Sequence, residues 1–312
     1  MEVTVHIEGG HDAGQALARV LQRAGLVESL ERAREASGRP PEQFRIAVKP
    51  NLMGRPGTDP GLVERLFATL REHGYGDLAL VESRTGRDSK RTVASAAREA
   101  GYSGEGYRIV DLSDEPVAFD YGSVLGKTTA GRTWLEADYR ITFAKAKPES
   151  RCFFSGCLAN LLGCLPEPDK LSHYAGPRHA FYECCVLVAD RLPVDFAVMD
   201  ASHADELLAS RSPLASASPS AGASPFASMS PFAVDWVAGE KMGLDPGLNP
   251  VLHEALLRWG RVHLKRRGNV TPWEGWRNVR PATVATLDLL EPLYRGPLRP
   301  LGGRRLAEWT VQ

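Results

Sequence analysis

Between Arg45 and Ser83 the chain reads RIAVKPNLMGRPGTDPGLVERLFATLREHGYGDLALVES. This is a strand, a polar loop, a helix and a second strand, and no other stretch constrains the fold as tightly. Arg45 to Val48 is a short apolar run that stops at Lys49-Pro50-Asn51, because proline cannot donate to a sheet ladder. Gly54 and Gly57 punctuate the loop. Asp59 before Pro60 marks a helix start: the carboxylate caps free amides, and proline at the first helical position loses no hydrogen bond. Leu62, Val63, Leu66, Phe67 and Leu70 recur at helical spacing until Gly74 and Gly76, and Leu78 to Val81 is the next strand. Two strands joined through a helix lie parallel with a right-handed crossover, so both strand ends open at the same sheet edge. Lys49, Asn51 and Glu82 sit at that edge.

The rest of the chain repeats the alternation. Val3 to Ile7 reads as a first strand, and a helical pattern runs from Ala13 to Ala36 with a possible break at Gly25. Further on, the pattern predicts a helix over Ser89–Ala100, a strand over Tyr107–Val110, a hairpin within Val117–Thr129 and a strand over Tyr139–Phe143. Helices over Phe153–Leu162 and Ala180–Arg191 and a strand over Val194–Met199 follow. Ala209–Ser228 is mostly Ser, Ala and Pro, with too little apolar bulk to pack, and reads as a loop or lid. Helices are expected over Pro231–Met242, Leu252–Leu264 and Ala282–Tyr294. The expected fold is α/β, a mostly parallel sheet flanked by helices, with a helical C-terminal part. Its divisions are an α/β core over 1–200, a low-complexity loop over 201–230 and a mostly helical part over 231–312 packing on the core.

Formal net charge is zero, so no global field favours nucleic acid or membrane. No apolar run approaches the roughly 18–20 residues that span a bilayer, and MEVTVHIEGG has neither the basic start nor the apolar core of a signal peptide. A cytoplasmic protein with reduced cysteines is the expectation. The oligomeric state and any cofactor are not legible.

The residues that close the strands are Lys49 and Asn51, Glu82, Asp111, Lys145 and Lys147, and Asp200. Parallel strands bring these ammonium groups and carboxylates to one edge, and lysines there suit a carboxylate or phosphate ligand as point charges. The Asp59 helix points its N-terminus at the same edge, where free amides favour an anion. The loop GRPGTDP is not a phosphate-binding loop, since no Gly-Lys-Ser/Thr follows, and no GxGxxG follows the first strand. On the loop Lys170-Leu171-Ser172-His173-Tyr174, a lysine and a histidine can serve as anion binder and general acid/base.

All five cysteines fall between Cys152 and Cys185, with His173 and His179 in the same span. The clustering suggests a metal or iron–sulfur site. The spacing opposes it, with no CxxC pair and no ferredoxin run, and cysteine is among the most commonly buried residues. The region Arg258–Arg280 is basic and holds Trp273 and Trp276, so it can stack on bases or serve as an ordinary solvated face.

Seven fragments in order resemble the family catalogued as domain of unknown function number 362. They are VKPNL (Val48–Leu52), TDP (Thr58–Pro60), LVES (Leu80–Ser83), FAKAK (Phe143–Lys147), LANLLGCLPEPDKLSHY (Leu158–Tyr174), VMDAS (Val198–Ser202) and SPFAVDWVAGEKMGLDP (Ser230–Pro246). The resemblance implies an α/β domain. Many members carry ferredoxin-type inserts, which implies redox or cofactor chemistry for some. This chain departs from the pattern: Lys147-Pro148-Glu149 stands where members read Lys-Thr-His, Ala159-Asn160 where they read Lys-Asn, and the Ser/Ala/Pro segment where they are glycine-rich. The matching positions give the candidate site: Lys49, Glu82 and His173 as catalytic residues, and Asn51, Asp59, Lys147, Asn160, Lys170 and Asp235 as substrate-binding residues. Capping of its own helix is a rival role for Asp235.

Three readings follow. The first is an enzyme acting on a small anionic metabolite, with Lys49, Lys147 and Lys170 binding the anion and His173 and Glu82 moving protons. The second is an iron–sulfur or other metal-dependent redox protein using the cysteine cluster. The third is an RNA- or protein-binding module through Arg258–Arg280, with nucleic acid the less expected partner.

Overall fold

The computed structural model describes residues 2–10, 12–54, 56–85, 91–149, 151–166, 170, 178–202, 225–273 and 276. The first strand, β1 (Glu2–Ile7), leads into α1 (Ala13–Arg23) and α2 (Leu26–Ser37). The break falls at Gly25, whose φ of 72° is left-handed backbone that glycine enters without a Cβ clash. Next come β2 (Ile46–Pro50), α3 (Pro60–Glu72), β3 (Leu78–Glu82), α4 (Val93–Ala100) and β4 (Arg108–Asp111). Every residue of β2 and β3 is buried, as the uninterrupted apolar runs require of strands covered on both faces.

A separate hairpin, β5 (Pro116–Asp120) with β6 (Lys127–Gly131), and a short helix α5 (Arg132–Glu136) lead to β7 (Tyr139–Lys145). The small antiparallel pair β8 (Lys147–Glu149) and β9 (Phe153–Ser155) follows, then α6 (Cys157–Asn160), α7 (Arg178–Arg191) and β10 (Phe196–Asp200). After β11 (Phe226–Ser228) come α8 (Pro231–Lys241), α9 (Pro250–Trp259) and β12 (His263–Gly268).

Eight strands form the main sheet in the order β12-β1-β11-β10-β7-β2-β3-β4. Every pairing is parallel except the two made by β11, so the other strands all point the same way. Helices cover both faces, with one apolar core on each. Ile46, Val48, Leu78 and Leu80 face the core shared with α1 to α4. Ala47, Ala79, Val81 and Ala144 face the core shared with α6 to α9. Among the described residues no helix is long and apolar enough to cross a membrane.

Three expectations change. The helix expected over Phe153–Leu162 is a strand, then a break at Gly156, then the short α6 with a 3-10 turn over Leu161–Cys164. The helix expected over Leu252–Leu264 ends at Trp259, and Leu264 lies in β12 beside β1. The C-terminal part over 231–312 is modestly helical and also supplies β12 to the main sheet, and the end of the expected loop over 201–230 supplies β11. The helix expected over Ala282–Tyr294, and 209–224 of the Ser/Ala/Pro stretch, lie outside the described residues.

Candidate functional site

The chain runs outward from β2 to β3 and β4, then returns to the other side of β2 as β7 and continues to β10. The direction of winding therefore reverses between β2 and β7. At such a reversal the connections leave in opposite directions and open a crevice beyond the strand ends, the usual ligand position in open α/β sheets. Lys49, Pro50 and Asn51 leave β2 there; Lys145 and Lys147 leave β7 there.

The loop after β2 is closed by Thr58. Its amide donates to Asn51 O at 2.9 Å. Its hydroxyl accepts from Asn51 N at 2.8 Å and donates to Phe143 O at 2.7 Å, fixing the loop to β7. Asp59 caps α3 as its sequence implies, accepting from Gly61 N at 2.7 Å and Leu62 N at 3.3 Å. The amides proposed for an anion are thus taken by the protein's own carboxylate. Asp59 N in turn donates to Asp200 Oδ2 at 2.8 Å.

Beneath the crevice lies a buried ionic network. Lys49 is 1% exposed and Glu82 4%. Lys49 Nζ donates to Glu82 Oε2 at 2.8 Å, Pro50 O at 2.7 Å and Asn160 Oδ1 at 3.1 Å. An ammonium has three N–H donors, so all are spent inside the protein. Glu82 also accepts from Leu52 N at 3.3 Å and Ser83 N at 3.0 Å. Asn160, on α6, donates to Lys49 O at 2.9 Å and Thr142 Oγ1 at 3.0 Å. Lys49, Glu82 and Asn160 are thus brought together as a satisfied frame joining β2, β3, β7 and α6.

Lys170 extends the frame. Its buried amine donates to Ser83 Oγ, whose hydroxyl donates to Gly163 O at 2.7 Å. Burial, reinforced by the Lys49 charge, pulls this amine down to about 8 against the opposing pull of Glu82. A second network holds β10: Lys145 Nζ donates to Asp200 Oδ2 at 3.0 Å and to Ser202 O, while Asp200 Oδ1 accepts from Ser202 N at 2.8 Å.

Lys147 and Asn51 behave differently. Both are partly exposed, and neither side chain forms a hydrogen bond among the described residues. They converge over Gly54, where an added Cβ would lie 2.7 Å from both Lys147 Nζ and Asn51 Oδ1. Glycine at 54 keeps that space clear. Burial lowers the Lys147 ammonium below its ordinary value, Lys49 adds to this, and Glu149 and Glu82 oppose it.

Asp235 lies inside α8, whose own cap is Ser230. Its carboxylate instead accepts from Cys157 N at 2.6 Å and Leu158 N at 2.9 Å, and so holds the start of α6, the helix that carries Asn160. Burial raises its pKa to about 7, against the pull of those two amides. A carboxyl whose folded value lies above its unfolded one stabilises the fold fully below the unfolded value. That contribution is lost as pH rises through the folded value. The melting temperature is therefore expected to fall from about pH 4 to 7, and the Asp235→Asn variant to lose that slope, measured by thermal melts across this range.

The five cysteines are buried in the core and unpaired with one another. Burial pushes Cys164 and Cys184 up to about 12 and Cys157 and Cys185 well above the ordinary thiol value, so these sulfurs are protonated apolar packing groups. Among the described residues no three His, Cys, Asp or Glu side chains gather as metal ligands. Trp273 is 8% exposed and stacks on Phe226 at 5.7 Å, so its ring is used inside the core. Arg258 pairs with Asp190 and Arg266 with Glu240; Arg277 and Arg280 lie outside the described residues. His173 also lies outside them.

Sequence reasoning omitted Ser83, Thr142, Thr58 and Gly163 from the site. Ser83, Thr58 and Gly163 lie within fragments quoted for the family resemblance. Thr142 lies outside them and carries no local signal, because its role depends on which strands become neighbours.

Among solved structures, the chain is similar to the lactate racemase apoprotein from Thermoanaerobacterium thermosaccharolyticum. The identity is 12%, covering 64% of this chain and 50% of that one, with a TM-score of 0.44. It is also similar to a protein from Thermotoga maritima, at 12% identity over 62% of this chain and 52% of that one, with a TM-score of 0.38. Both matches span about half the length of those proteins. No curated protein matches the sequence. The family model described as domain of unknown function (DUF362) matches residues 46–240, more than half of the chain, and the protein belongs to that family.

Proposed function

We propose that this protein is an enzyme that takes a small anionic metabolite in the β2/β7 crevice, with Lys147 and Asn51 as its direct contacts. The observation that carries the reading is the contrast among the lysines at this edge. Lys49 and Lys145 each hold a buried carboxylate, and Lys170 is bonded to oxygens within the frame. Lys147 has no hydrogen-bond partner among the described residues, at the point where the winding reverses. An ammonium in a crevice with no ion-pair partner in contact among the described residues favours an anion, and a charge-assisted hydrogen bond contributes about 1.5–3 kcal/mol. On this reading Lys49, Glu82 and Asn160 are positioning residues that fix the crevice floor and do not touch the ligand. His173 remains the proposed general acid/base, and Lys170 is an amine that burial brings down to about 8.

The test is calorimetric titration of the full chain with a panel of small organic acids and phosphate esters. Lys147→Gln is expected to weaken the best ligand by about 10- to 150-fold, since each tenfold is about 1.4 kcal/mol. Its melting temperature should stay near that of the unmodified protein, because the side chain is partly exposed. Absence of any anion binding, or an affinity indifferent to this substitution, defeats the reading.

A further inference from the structure

We infer that the ligand of the β2/β7 crevice is a carboxylate bearing a single negative charge, and that phosphate esters are disfavoured there. The inference rests on the proposed function and narrows it. Two independent features of the edge carry it.

The first is the state of the helix that follows β2. In α/β folds a phosphate sits where the N-terminal amides of such a helix are free to donate. Here they are not free. Asp59 accepts from Gly61 N and Leu62 N, and Asp200 accepts from Asp59 N. Two carboxylates of the protein itself occupy the place that a phosphate would take, and a dianion brought close would meet both.

The second is the balance of charge around the opening. Lys49 is held by Glu82 and Lys145 by Asp200. Lys170 is 1% exposed and turned inward to Ser83. Arg91 reaches Met53 O, in the loop after β2, but its guanidinium is also paired with Glu99. Arg84 is paired with Asp111 and Asp114. One ammonium, Lys147, remains for a ligand among the described residues, and Glu149 and Glu82 both act on it electrostatically. That field matches one negative charge and opposes two. Asn51 turns its side-chain Oδ1 into the same space, a neutral acceptor suited to a hydroxyl of the ligand and not a second cationic donor.

The experiment compares ligands of similar carbon skeleton by calorimetry on the full chain: acetate against methyl phosphate, and glycerate against glycerol 3-phosphate. Each is titrated into the unmodified protein and Lys147→Gln. The expected result is binding of at least one carboxylate at least tenfold tighter than its phosphate counterpart, with that advantage lost in Lys147→Gln. A phosphate ester that binds as tightly or tighter, and still depends on Lys147, overturns the inference but leaves the anion site standing. If no compound binds, or if Lys147→Gln changes nothing, the inference and the proposed function fall together.

Discussion

Lys49→Met is expected to destabilise the fold by about 3–5 kcal/mol, the scale for removing one partner of a buried ion pair. Methionine nearly matches the lysine stem in volume, so the loss is not a packing defect. It comes from Glu82, which is 4% exposed and keeps only the Leu52 and Ser83 amides once the ammonium is gone. Pro50 O and Asn160 Oδ1 lose their donor at the same time. At about 2–4 °C per kcal/mol for a domain of this order, the melting temperature should fall by on the order of 10 °C. Lys49→Met combined with Glu82→Gln should recover more than half of the loss, because a neutral amide can accept from Leu52 N without burying an unpaired charge. Thermal melts of the two variants check this. A single variant that melts within about 2 °C of the unmodified protein would mean that the pair is not a closed, dehydrated unit.

How much of this frame the sequence announces depends on how local its causes are. β2, α3 and β3 are legible because both sheet faces are covered, which writes the strands as plain apolar runs, and because Asp59-Pro60 is a local capping signal. β12 is not legible for the opposite reason. HLKRRG is an edge strand with largely exposed side chains, so it shows no apolar alternation, and its place beside β1 is fixed by pairing across the whole chain. β9 and α6 share one apolar run, and Gly156 lies between them where a side chain would meet Asp235, distant in sequence, whose carboxylate accepts from the first two amides of α6. The strand ends foretold which residues share the edge. They did not foretell which would be spent on one another. Lys49 meets Asn160 across 111 positions, and only the order β7-β2-β3 makes that bond possible.

Gly163→Ala should be almost as damaging as loss of Lys49, although it adds one methyl group. Gly163 lies in the 3-10 turn after α6, and its backbone is not in the left-handed region, so conformation alone would accept alanine. At such positions the change usually stabilises by about 0.4–1 kcal/mol through the unfolded chain. Here the sign reverses. A Cβ at this position would overlap Glu82 Oε1 and Lys49 Cε and lie 2.6 Å from Lys49 Nζ. Neither side chain can swing aside: Lys49 has three internal acceptors, and Glu82 has three donors. The turn can lift only by breaking the bond from Ser83 Oγ to Gly163 O, made by the same hydroxyl that accepts from Lys170. Either route loses buried hydrogen bonds around a charged pair, and the expected cost is about 3 kcal/mol or more. Gly14→Ala, in the first turn of α1 where the new Cβ would sit 3.3 Å from the Asp12 carboxylate, is the control and should be neutral or mildly stabilising. Equal melting temperatures for the two variants would show that Gly163 does not seal the Lys49–Glu82 pair. A large loss at Gly163 alone would show that the absence of a side chain there keeps the pair closed against water beneath the crevice.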